Sequence, residues 1–270
     1  MEVGDRFCPI CGKVKEKMCL SFGNFYVYLE CECEKAERQK KEQEEKEYAL
    51  CAAHRLRNKS SRLAPIYCNA SFDTMIVDEN NKKSVKAGEY ILGQLLSDTT
   101  NENKNSLVLQ GTRGSGKTFI ASAVINDFDR KYPVSEARLR EILRERNNCF
   151  AEKDYTPLRS PCKFITEMEL YALFYDNFNY SKTDSPLDGF KKAGKLLVID
   201  DVGSSGFDAS RLSALYHNVI DYRHSNNLST IITTNLNKKS LCTYIGDRAF
   251  DRLQACSYFL DLVSDKSRRN

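Results

Sequence analysis

One stretch of this chain limits its fold more than any other: a strand, a glycine-rich loop and the start of a helix follow one another from Ser106 to Val124. Glycine reaches positive φ without steric cost, so successive backbone N–H groups of such a loop can turn towards one anion. The stretch predicts a phosphate-binding loop at the carboxyl end of a strand in an α/β sheet. The loop residues are Gly111, Thr112, Arg113, Gly114, Ser115, Gly116, Lys117 and Thr118.

The last two residues of the loop indicate which phosphates it binds. Lys117 supplies a positive charge for β- and γ-phosphates, and the hydroxyl of Thr118 is placed to ligate a Mg²⁺ ion that bridges them. The helix that follows directs the positive end of its dipole at the same point. The sequence therefore predicts ATP and Mg²⁺ as ligands.

A second stretch agrees with the first. The apolar run Leu196–Ile199 is followed by two acidic residues, as expected for a strand buried on both faces that ends at a ligand-binding edge. Asp200 is predicted to hold Mg²⁺, directly or through water, and Asp201 to polarise the attacking water. Taken alone, such a strand more often simply leads into a turn, but the upstream loop favours the catalytic interpretation.

Four of the eleven cysteines form two close pairs, Cys8 with Cys11 and Cys31 with Cys33. Two such pairs are typical of a tetrahedral Zn²⁺ site, which can stabilise a segment too small for its own core. Cys19 is an alternative ligand, and a set of reduced surface thiols is the alternative without metal. A short hairpin within residues 20–29 is expected to pack on the metal, giving a zinc-ribbon-like module. The other cysteines are expected to be ordinary buried or half-buried thiols: Cys51, Cys68, Cys149, Cys162, Cys242 and Cys256.

The composition is that of a chain with one ordinary core and a small appendage. It has 270 residues, of which 41% are hydrophobic, and a formal net charge of +4. No stretch of eighteen apolar residues occurs, and the first residues lack the apolar segment of a secretory signal. We therefore expect a soluble, cytoplasmic protein without a membrane partner. The small net charge is by itself weak support for a nucleic-acid partner.

Three segments follow one another along the chain. Residues 1–34 form the predicted zinc module, 35–64 a charged helical arm and 65–270 the nucleotide-binding domain. The arm lacks Gly and Pro before Pro65 and is rich in charged residues that can pair at i,i+4 spacing. Its basic end, residues 54–62, is either a solvated helix face or a contact for phosphates.

The third segment alternates strands with helical stretches, which predicts a three-layer α/β sandwich with a mainly parallel sheet. A helix is expected from Ser84 to Leu96, ahead of the loop strand. A charged helix from Ser135 to Arg146 lies in an excursion, residues 131–161, whose role the sequence leaves open. Besides the loop strand, the predicted strands are Cys162–Thr166, the run that starts at Leu196, Ser229–Thr234 and Tyr258–Leu262.

With these residues in view, the chain resembles the DnaC/DnaI helicase loaders and the IstB transposition ATPases, a branch of the AAA+ family. The likeness covers roughly residues 60–267; besides the loop and the Leu196 strand, it includes Thr233–Asn235 and Ile245–Leu253. It implies an AAA+ ATPase domain, a replicative DNA helicase hexamer as partner, and single-stranded DNA. The cysteine module is similar to the segment with which such loaders grip the helicase.

The resemblance also implies roles for three polar residues. Asn235 matches the sensor that bonds the γ-phosphate or the attacking water, and the alternative is an amide that caps a turn. Arg248 matches the arginine that enters the ATP site of a neighbouring subunit, which implies self-assembly; an ordinary surface ion pair is the alternative. Arg268 falls near a second sensor arginine, or it lies in a frayed tail.

One residue departs from the family pattern. The family commonly has Asp-Glu after the apolar strand, whereas this chain has Asp200-Asp201, which is one methylene shorter at the residue that orients water. We therefore expect slow ATP hydrolysis that single-stranded DNA stimulates. The segment from Phe164 to Lys182 contains aromatic residues beside two cations, Lys163 and Lys182, and these are candidates for stacking on DNA bases and attracting phosphates, although at least half of the aromatic residues are expected in the core. The aromatic residues are Tyr171, Phe174, Tyr175, Phe178 and Tyr180.

Two other functions remain open at this point. The same ATPase core is expected in an IstB-like transposition accessory ATPase, with a transposase and duplex DNA as partners. The short acid at Asp201 also leaves open a non-hydrolysing adaptor, which binds ATP and sequesters the helicase without loading it. The zinc module favours the loader, by resemblance alone.

Overall fold

The computed structural model describes residues 5–19, 26–97, 104–147, 158–177 and 186–262. The chain divides into two compact units, one of residues 1–53 and 134–153 and the other of residues 54–133 and 154–270. Within the described residues, no helix is both long enough and apolar enough to cross a membrane.

The first unit contains the cysteine module and charged helical segments. Strands β1 (Lys17–Cys19) and β2 (Tyr26–Tyr28) pair antiparallel, so the predicted hairpin is present, but its first strand starts before residue 20. Residues 20–25 lie outside the described part. The long helix α1 (Glu32–Ser61) begins in this unit and ends in the other, close to the predicted arm.

Part of the excursion also belongs to the first unit. Most of its predicted charged helix is present as α4, which spans Glu136–Asn147. Ala49, Ala53 and Ile142 are buried, and the guanidinium of Arg146 lies 4.2 Å from the ring centroid of Tyr48. The excursion therefore packs within the same unit as the first part of the arm, an association that the sequence did not predict.

The second unit is built on a five-stranded sheet in which every neighbouring pair is parallel. The strands, in chain order, are β3 (Ser106–Gly111), β4 (Cys162–Thr166), β5 (Leu196–Val202), β6 (Ser229–Thr234) and β7 (Ser257–Leu262). Their order across the sheet is β4-β5-β6-β3-β7. The helices of this unit are α2 (Lys82–Ser97), α3 (Lys117–Lys131), α5 (Glu167–Asn177), α6 (Pro186–Lys191), α7 (Ala209–Ser225), α8 (Lys238–Ile245) and α9 (Asp247–Cys256).

Helices cover both faces of this sheet. Alternate residues of each central strand enter opposite cores, because successive side chains of a strand point to opposite faces. Leu107 and Leu109 join one core with residues of α2 and α3. Val108 joins the other core with residues of α5 to α9. The predicted three-layer sandwich is confirmed, and the carboxyl ends of its parallel strands all meet at one edge.

Residues ahead of the sheet form hydrogen bonds with α3 and with the residues that follow it. Arg57, 3% exposed, donates to the carbonyl oxygens of Asp129 at 2.9 Å and Tyr132 at 2.7 Å, near the carboxyl end of this helix. The amide of Asn126 donates to the carbonyls of Tyr67 and Ala70 at 2.7 and 2.9 Å. Arg57 is therefore not available for phosphates. The sequence left open whether the basic residues 54–62 contact phosphates, and Arg57 does not contribute to such a contact.

Candidate ATP site and cysteine cluster

The glycine-rich loop lies between β3 and α3, as predicted. Gly114 and Gly116 have φ angles of 78° and 97°, a region that the loop needs to turn its N–H groups inwards and that other residues rarely enter. Gly111 is required for another reason, because a Cβ atom at this position would lie 2.0 Å from the carbonyl oxygen of Leu262. The backbone is thus shaped as a cradle for an anion at the amino end of α3.

Lys117 and Thr118 face the loop and the neighbouring strands. The Lys117 ammonium donates to the carbonyl oxygens of Gly111 at 2.9 Å and Thr112 at 2.7 Å, and to Oδ1 of Asn235 at 2.9 Å. The hydroxyl of Thr118 donates to Oδ1 of Asp200 at 2.9 Å. The structure thus brings the residues predicted for phosphate and Mg²⁺ together at one point.

Asp200 is a buried carboxylate, 8% exposed, at the carboxyl end of β5. Burial raises its pKa above the ordinary value, while hydrogen bonds from Thr233 at 2.6 Å and from Thr118 act in the opposite direction. A bound cation would favour the charged form by supplying the missing opposite charge. Hard oxygen ligands from Thr118 and Asp200 fit Mg²⁺, whose usual partners are carboxylates and phosphate oxygens.

Asp201 projects in a different direction from Asp200. The register of β5 against β6 shifts between Ile199 and Val202, and Asp201 has a φ of 60°. Its carboxylate is exposed, and Oδ1 lies 3.4 Å from the Asn235 amide nitrogen. The two adjacent carboxylates therefore have different surroundings. That of Asp200 is buried beside Thr118, and that of Asp201 is exposed beside Asn235.

Arg248 lies in the first turn of α9 and is exposed. Arg252, four residues on, instead bonds Oδ1 of Asp221 on α7 at 2.7 Å, so the two arginines differ although they share a helix. An exposed guanidinium on a fixed helix is suited to act on a second molecule. The predicted position of a second sensor, Arg268, lies outside the described residues.

The four predicted zinc ligands come together in the first unit. The Sγ atoms of Cys8, Cys11, Cys31 and Cys33 all lie within 4.8 Å of one another. The separations of 3.4 Å for Cys8–Cys33 and 3.7 Å for Cys11–Cys31 are near the roughly 3.8 Å between sulfurs of a tetrahedral zinc site with 2.3 Å bonds. Among the described residues this is the one such group. The position of the Cys19 side chain is not among the described features.

A carboxylate next to the cysteines holds their surroundings in place. Glu34 accepts hydrogen bonds from the Cys31 backbone N–H at 2.9 Å and from the Lys15 ammonium at 2.6 Å. Hydrogen bonds with the neighbouring thiols, that of Cys31 first, raise the pKa of Cys33 to about 12. Four thiolates at this distance require a cation between them, because like charges disfavour one another. The donor set and its spacing thus fit Zn²⁺.

The aromatic segment divides between core and surface. Phe174 is buried in the core, whereas Tyr175 is 49% exposed. The ring of Tyr171 stacks on Phe207 with centroids 3.7 Å apart, and the Arg211 guanidinium lies 5.4 Å from the Tyr175 centroid. These four residues, Tyr171, Tyr175, Phe207 and Arg211, form what we call the aromatic face. Phe178, Tyr180 and Lys182 lie outside the described residues.

Lys163 does not belong to the aromatic face. Its ammonium donates to the carbonyl oxygen of Ser60, and burial lowers its pKa. The sequence suggested Lys163 as a cation beside the aromatic residues, because both lie in one segment. On β4, however, residue 163 is held against the end of α1 and not against α5.

Sequence reasoning missed one buried carboxylate near the site, Glu167 at the start of α5. It is 1% exposed and bonds residues that follow Asp201 in the chain. Its partners lie 36 to 77 positions away, so no local pattern marks it. An isolated Glu after a strand ordinarily predicts only a favourable first turn of a helix.

Comparisons with known proteins agree with the fold. The replicative helicase loader DnaC of Buchnera aphidicola (subsp. Acyrthosiphon pisum) is 22% identical over 196 residues, which cover 72% of this chain and 67% of that protein. A crystal structure of the DnaC helicase loader has a TM-score of 0.53 at 20% identity, covering 74% of this chain and 99% of that one. A crystal structure of DnaI has a TM-score of 0.51 at 19% identity, covering 74% and 94%. No family model matches the chain.

These comparisons confirm the resemblance to the DnaC/DnaI-type loaders and the fold that it implied. The match spans about two thirds of the length of the Buchnera relative. The second unit has the AAA+ fold, with five parallel strands between two helical layers.

Proposed function

We propose that this DnaC-like chain is an ATP-dependent loader, which binds a replicative DNA helicase hexamer and delivers it onto single-stranded DNA at the initiation of replication. One observation carries the proposal. A phosphate-binding loop, a buried acid bonded to its threonine and a second, open acid meet at one sheet edge, in a fold similar to that of the helicase loaders.

The ATP site sets the chemistry of the proposal. ATP, when bound, supplies the phosphoryl group and Mg²⁺ neutralises its charge, while positioning and electrostatics are left to the protein. The short Asp201 and its exposed carboxylate support slow hydrolysis that single-stranded DNA accelerates. We assign the loop from Gly111 to Thr118 to the phosphates, Thr118 and Asp200 to Mg²⁺, Asp201 and Asn235 to the attacking water and γ-phosphate, and Arg248 to the site of a neighbouring copy.

The test of the ATP site is steady-state ATP hydrolysis with and without single-stranded DNA. We expect weak turnover in the full chain, an increase with DNA, and loss of both on Lys117→Ala. Lys131→Ala is the matched control, because Lys131 is an exposed cation at the other end of the same helix. Brisk turnover by Lys117→Ala would remove the assignment of the site.

We assign residues 1–34 to helicase binding, 35–64 to an arm and 65–270 to the ATPase domain. Large apolar side chains are exposed on the small cysteine module, where a globular surface ordinarily avoids them. They support docking of a protein partner, with a Zn²⁺ ion fixing the module that presents them. They are Phe7, Ile10, Val14, Met18 and Val27, which are 43% to 61% exposed.

Helicase binding is tested by capture from native lysate with the tagged full chain, ATP and Mg²⁺, and identification of bound proteins by mass spectrometry. We expect a replicative helicase, lost in the Cys8→Ser, Cys11→Ser variant, and metal analysis is expected to give one Zn²⁺ per wild-type chain. Val14→Asp keeps the cysteines and separates loss of the apolar surface from loss of the metal. Capture of a transposase instead would support an IstB-like accessory ATPase.

Single-stranded DNA is the proposed nucleic-acid partner, and the aromatic face supports it. Tyr175 is exposed beside the Arg211 guanidinium, and Tyr171 and Phe207 are partly exposed. Aromatic rings beside a guanidinium are groups on which unpaired bases stack. We expect Tyr175→Ala and Arg211→Ala to weaken binding of a fluorescent oligonucleotide, each by roughly five- to tenfold. Tyr90→Ala is the control, since Tyr90 is equally exposed but lies on α2.

A second candidate is the non-hydrolysing adaptor, which the short Asp201 favours. It predicts helicase capture and ATP binding with no turnover, even with single-stranded DNA present. Turnover measured beside helicase activity on a forked DNA separates the two functions, because a loader increases strand separation and an adaptor of this kind decreases it.

A further inference from the structure

A buried carboxylate outside the ATP site joins two segments that matter to the proposed reaction. Oε2 of Glu167 accepts hydrogen bonds from the backbone N–H groups of Gly203 at 3.1 Å and Ser205 at 3.3 Å. The Ser205 hydroxyl donates to the same oxygen at 2.7 Å. Gly203 follows Asp201 by two residues, so Glu167 fixes the segment into which the open acid leads.

The same carboxylate reaches two helices on the other side. The hydroxyl of Tyr216 on α7 donates to Oε1 of Glu167 at 2.5 Å, and that of Tyr244 on α8 donates to Oε2 at 3.0 Å. Tyr244 also contacts the Ser205 hydroxyl at 2.8 Å. Helix α8 ends at Ile245, and after Gly246 the next helix begins with Asp247 and the exposed Arg248. Glu167 thus links the segment behind Asp201 to α8, the helix that leads into α9 and Arg248.

Hydrogen-bond donors surround the Glu167 carboxylate. Five donors converge on its two oxygens, and such hydrogen bonds to a charged acceptor are about twice as strong as neutral ones. Burial, with the Glu167 charge beside it, raises the pKa of Tyr216 well above its ordinary range, and burial likewise raises that of Tyr244 to about 12. Both tyrosines therefore stay protonated and act as donors.

A role in folding alone accounts for the burial but not for the choice of partners. The core beneath α7 is apolar and is already closed by residues such as Leu212 and Leu215. A buried charge carries a desolvation cost that an apolar residue avoids. The partners of Glu167 are instead the short loop behind Asp201, Tyr216 on α7, and Tyr244 on α8, the helix that precedes α9. Asp201 and Arg248, which α9 carries, are the groups proposed to act in adjacent sites of an assembly.

We propose that Glu167 is a positioning residue that ties the loop behind Asp201 to α7 and α8, the second of which leads into the helix that carries Arg248, so that the ATP site of one copy is coupled to the site of the next. The proposal rests on the proposed function, namely ATP hydrolysis at sites that Arg248 completes in trans. It adds to that function the residue and the hydrogen bonds through which the two sites are coupled.

The experiment mixes two inactive full-length parents. Asp201→Asn has a dead site but retains its arginine, and Arg248→Ala retains an intact site but lacks the arginine. Mixed, they form interfaces in which the intact site of one parent meets the arginine of the other, so turnover is regained. A mixture that stays inactive, although each parent binds a fluorescent ATP analogue, contradicts the proposed action of Arg248 in trans and is distinct from a failure at Glu167.

Glu167→Gln is then placed in each parent separately. The change removes the charge and one acceptor oxygen but keeps the shape. The Arg248→Ala parent supplies the intact site and is the site donor, and the Asp201→Asn parent supplies the arginine and is the arginine donor. We expect turnover of the mixture at saturating ATP to fall at least about fivefold when Glu167→Gln lies in the site donor, and by a similar factor when it lies in the arginine donor, since small displacements of reacting groups are costly. Affinity for the fluorescent analogue is expected to stay within about twofold, because the loop from Gly111 to Thr118 is untouched.

Glu169→Gln is the matched control. It makes the same chemical change two residues along α5, where Glu169 bonds the backbone N–H of Thr166 at 3.0 Å and its side chain is 51% exposed. Gln preserves a cap of this kind, so turnover is expected to stay within about twofold in both parents. A Glu167→Gln variant in the arginine donor that matches this control would overturn the coupling.

Tyr244→Phe keeps the test decisive if Glu167→Gln does not fold. It removes only the hydroxyl that leads from Glu167 towards α8. We expect turnover to fall at least about threefold when Tyr244→Phe lies in the arginine donor, and to fall less when it lies in the site donor. Equal effects in both parents, or none, would show that Glu167 and Tyr244 serve the fold alone.

Discussion

Asp201 is held in an unusual backbone conformation by its neighbours. Its φ of 60° is rare for a residue with a side chain, and its backbone N–H donates to the Thr233 hydroxyl at 2.9 Å, which in turn donates to Asp200 at 2.6 Å. The position of the carboxylate is therefore set by the two strands. Its reach into the open space beside Asn235 is set by its length alone.

Lengthening this side chain is expected to accelerate hydrolysis. Asp201→Glu adds one methylene without disturbing the backbone bond to Thr233, and brings a carboxylate nearer to the attacking water. We expect turnover to rise by roughly three- to tenfold, within the range that a well-placed base contributes. Steady-state phosphate release measures it, with Asp201→Asn as the inactive reference; a Glu variant no faster than wild type would show that length does not limit the rate.

Asp129, near the carboxyl end of α3, is a second acid whose properties are altered by its surroundings. It is 1% exposed, and burial raises its pKa to about 6, although the Ser160 hydroxyl at 2.7 Å and the charges of Arg57 and Lys163 act in the opposite direction. The folded chain therefore holds this proton at a higher pH than the unfolded chain does. The stability that this proton gives the folded chain is therefore present below a pH of 3.8 and is lost as the pH rises through about 6.

The sign of this effect gives a pH-dependent prediction. As the pH falls from 7 towards 4, protonation of Asp129 stabilises the folded chain by up to about 3 kcal/mol, the equivalent of a pKa raised from 3.8 to about 6. Asp129→Asn lacks this titration. Chemical denaturation at several pH values should show wild type gaining stability relative to the variant as the pH falls; a constant difference between them would contradict the prediction.

At the scale of elements, the end of α1 is bonded to the end of α3. The Arg57 guanidinium satisfies carbonyl oxygens of Asp129, Tyr132 and Pro133 at 2.7 to 3.0 Å, which would otherwise lack partners where a helix ends. A cation at this end also complements the helix dipole. The helix whose amino end is proposed to bind phosphate is thus fixed at its carboxyl end by the arm.

Removal of this guanidinium is expected to destabilise the second unit. Arg57→Met keeps much of the aliphatic packing but leaves the carbonyls buried and unpaired, a loss of about 2–4 kcal/mol in free energy of unfolding. Lys59→Met, at an exposed position of the same helix, should change it by less than about 0.5 kcal/mol. Equal thermal midpoints for the two variants would contradict the role assigned to Arg57.

The sequence predicted the elements of the sheet well because each has a strong local signal. Strands β4 and β6 coincide with their predicted limits, and β5 and β7 differ only at an end, since apolar runs between turns leave little choice. The helix α1, Glu32–Ser61, is offset from the predicted arm of residues 35–64 by about one turn, and α2, Lys82–Ser97, differs little from its predicted limits. The contacts of Glu167 and Arg57 were not predictable, because their partners lie 30 to 80 positions away and share no pattern.

At the scale of the whole molecule, the candidate ATP site brings Lys117, Thr118, the two acids and Asn235 together in one chain, whereas its arginine is proposed to come from a second copy. Arg248 is exposed at the start of α9, whereas Arg252 is paired with Asp221 at 2.7 Å. An arginine that stabilises the transferring phosphoryl group contributes a large factor to turnover. A chain that lacks this contact in isolation should hydrolyse ATP poorly until it meets another copy.

Turnover per chain should therefore depend on protein concentration. We expect it to rise as dilute wild-type protein is concentrated with ATP, and to stay flat for Arg248→Ala. Lys239→Ala removes an exposed cation from the preceding helix and should behave as wild type. Hydrolysis rates and light scattering on the same samples measure the effect; wild-type turnover independent of concentration, from a chain that stays monomeric, would contradict it.

The close approach at Gly111 bears on how such chains diverge. Any side chain there would meet the Leu262 carbonyl at 2.0 Å, so this glycine is needed to let the edge strand β7 end beside β3, with or without a nucleotide. A descendant that had lost ATP binding would still need glycine at 111, while Lys117 would be free to drift. Among distant relatives of this chain, a lysine at position 117 therefore indicates that ATP binding is retained. A glycine at position 111 indicates only that the two strands end side by side.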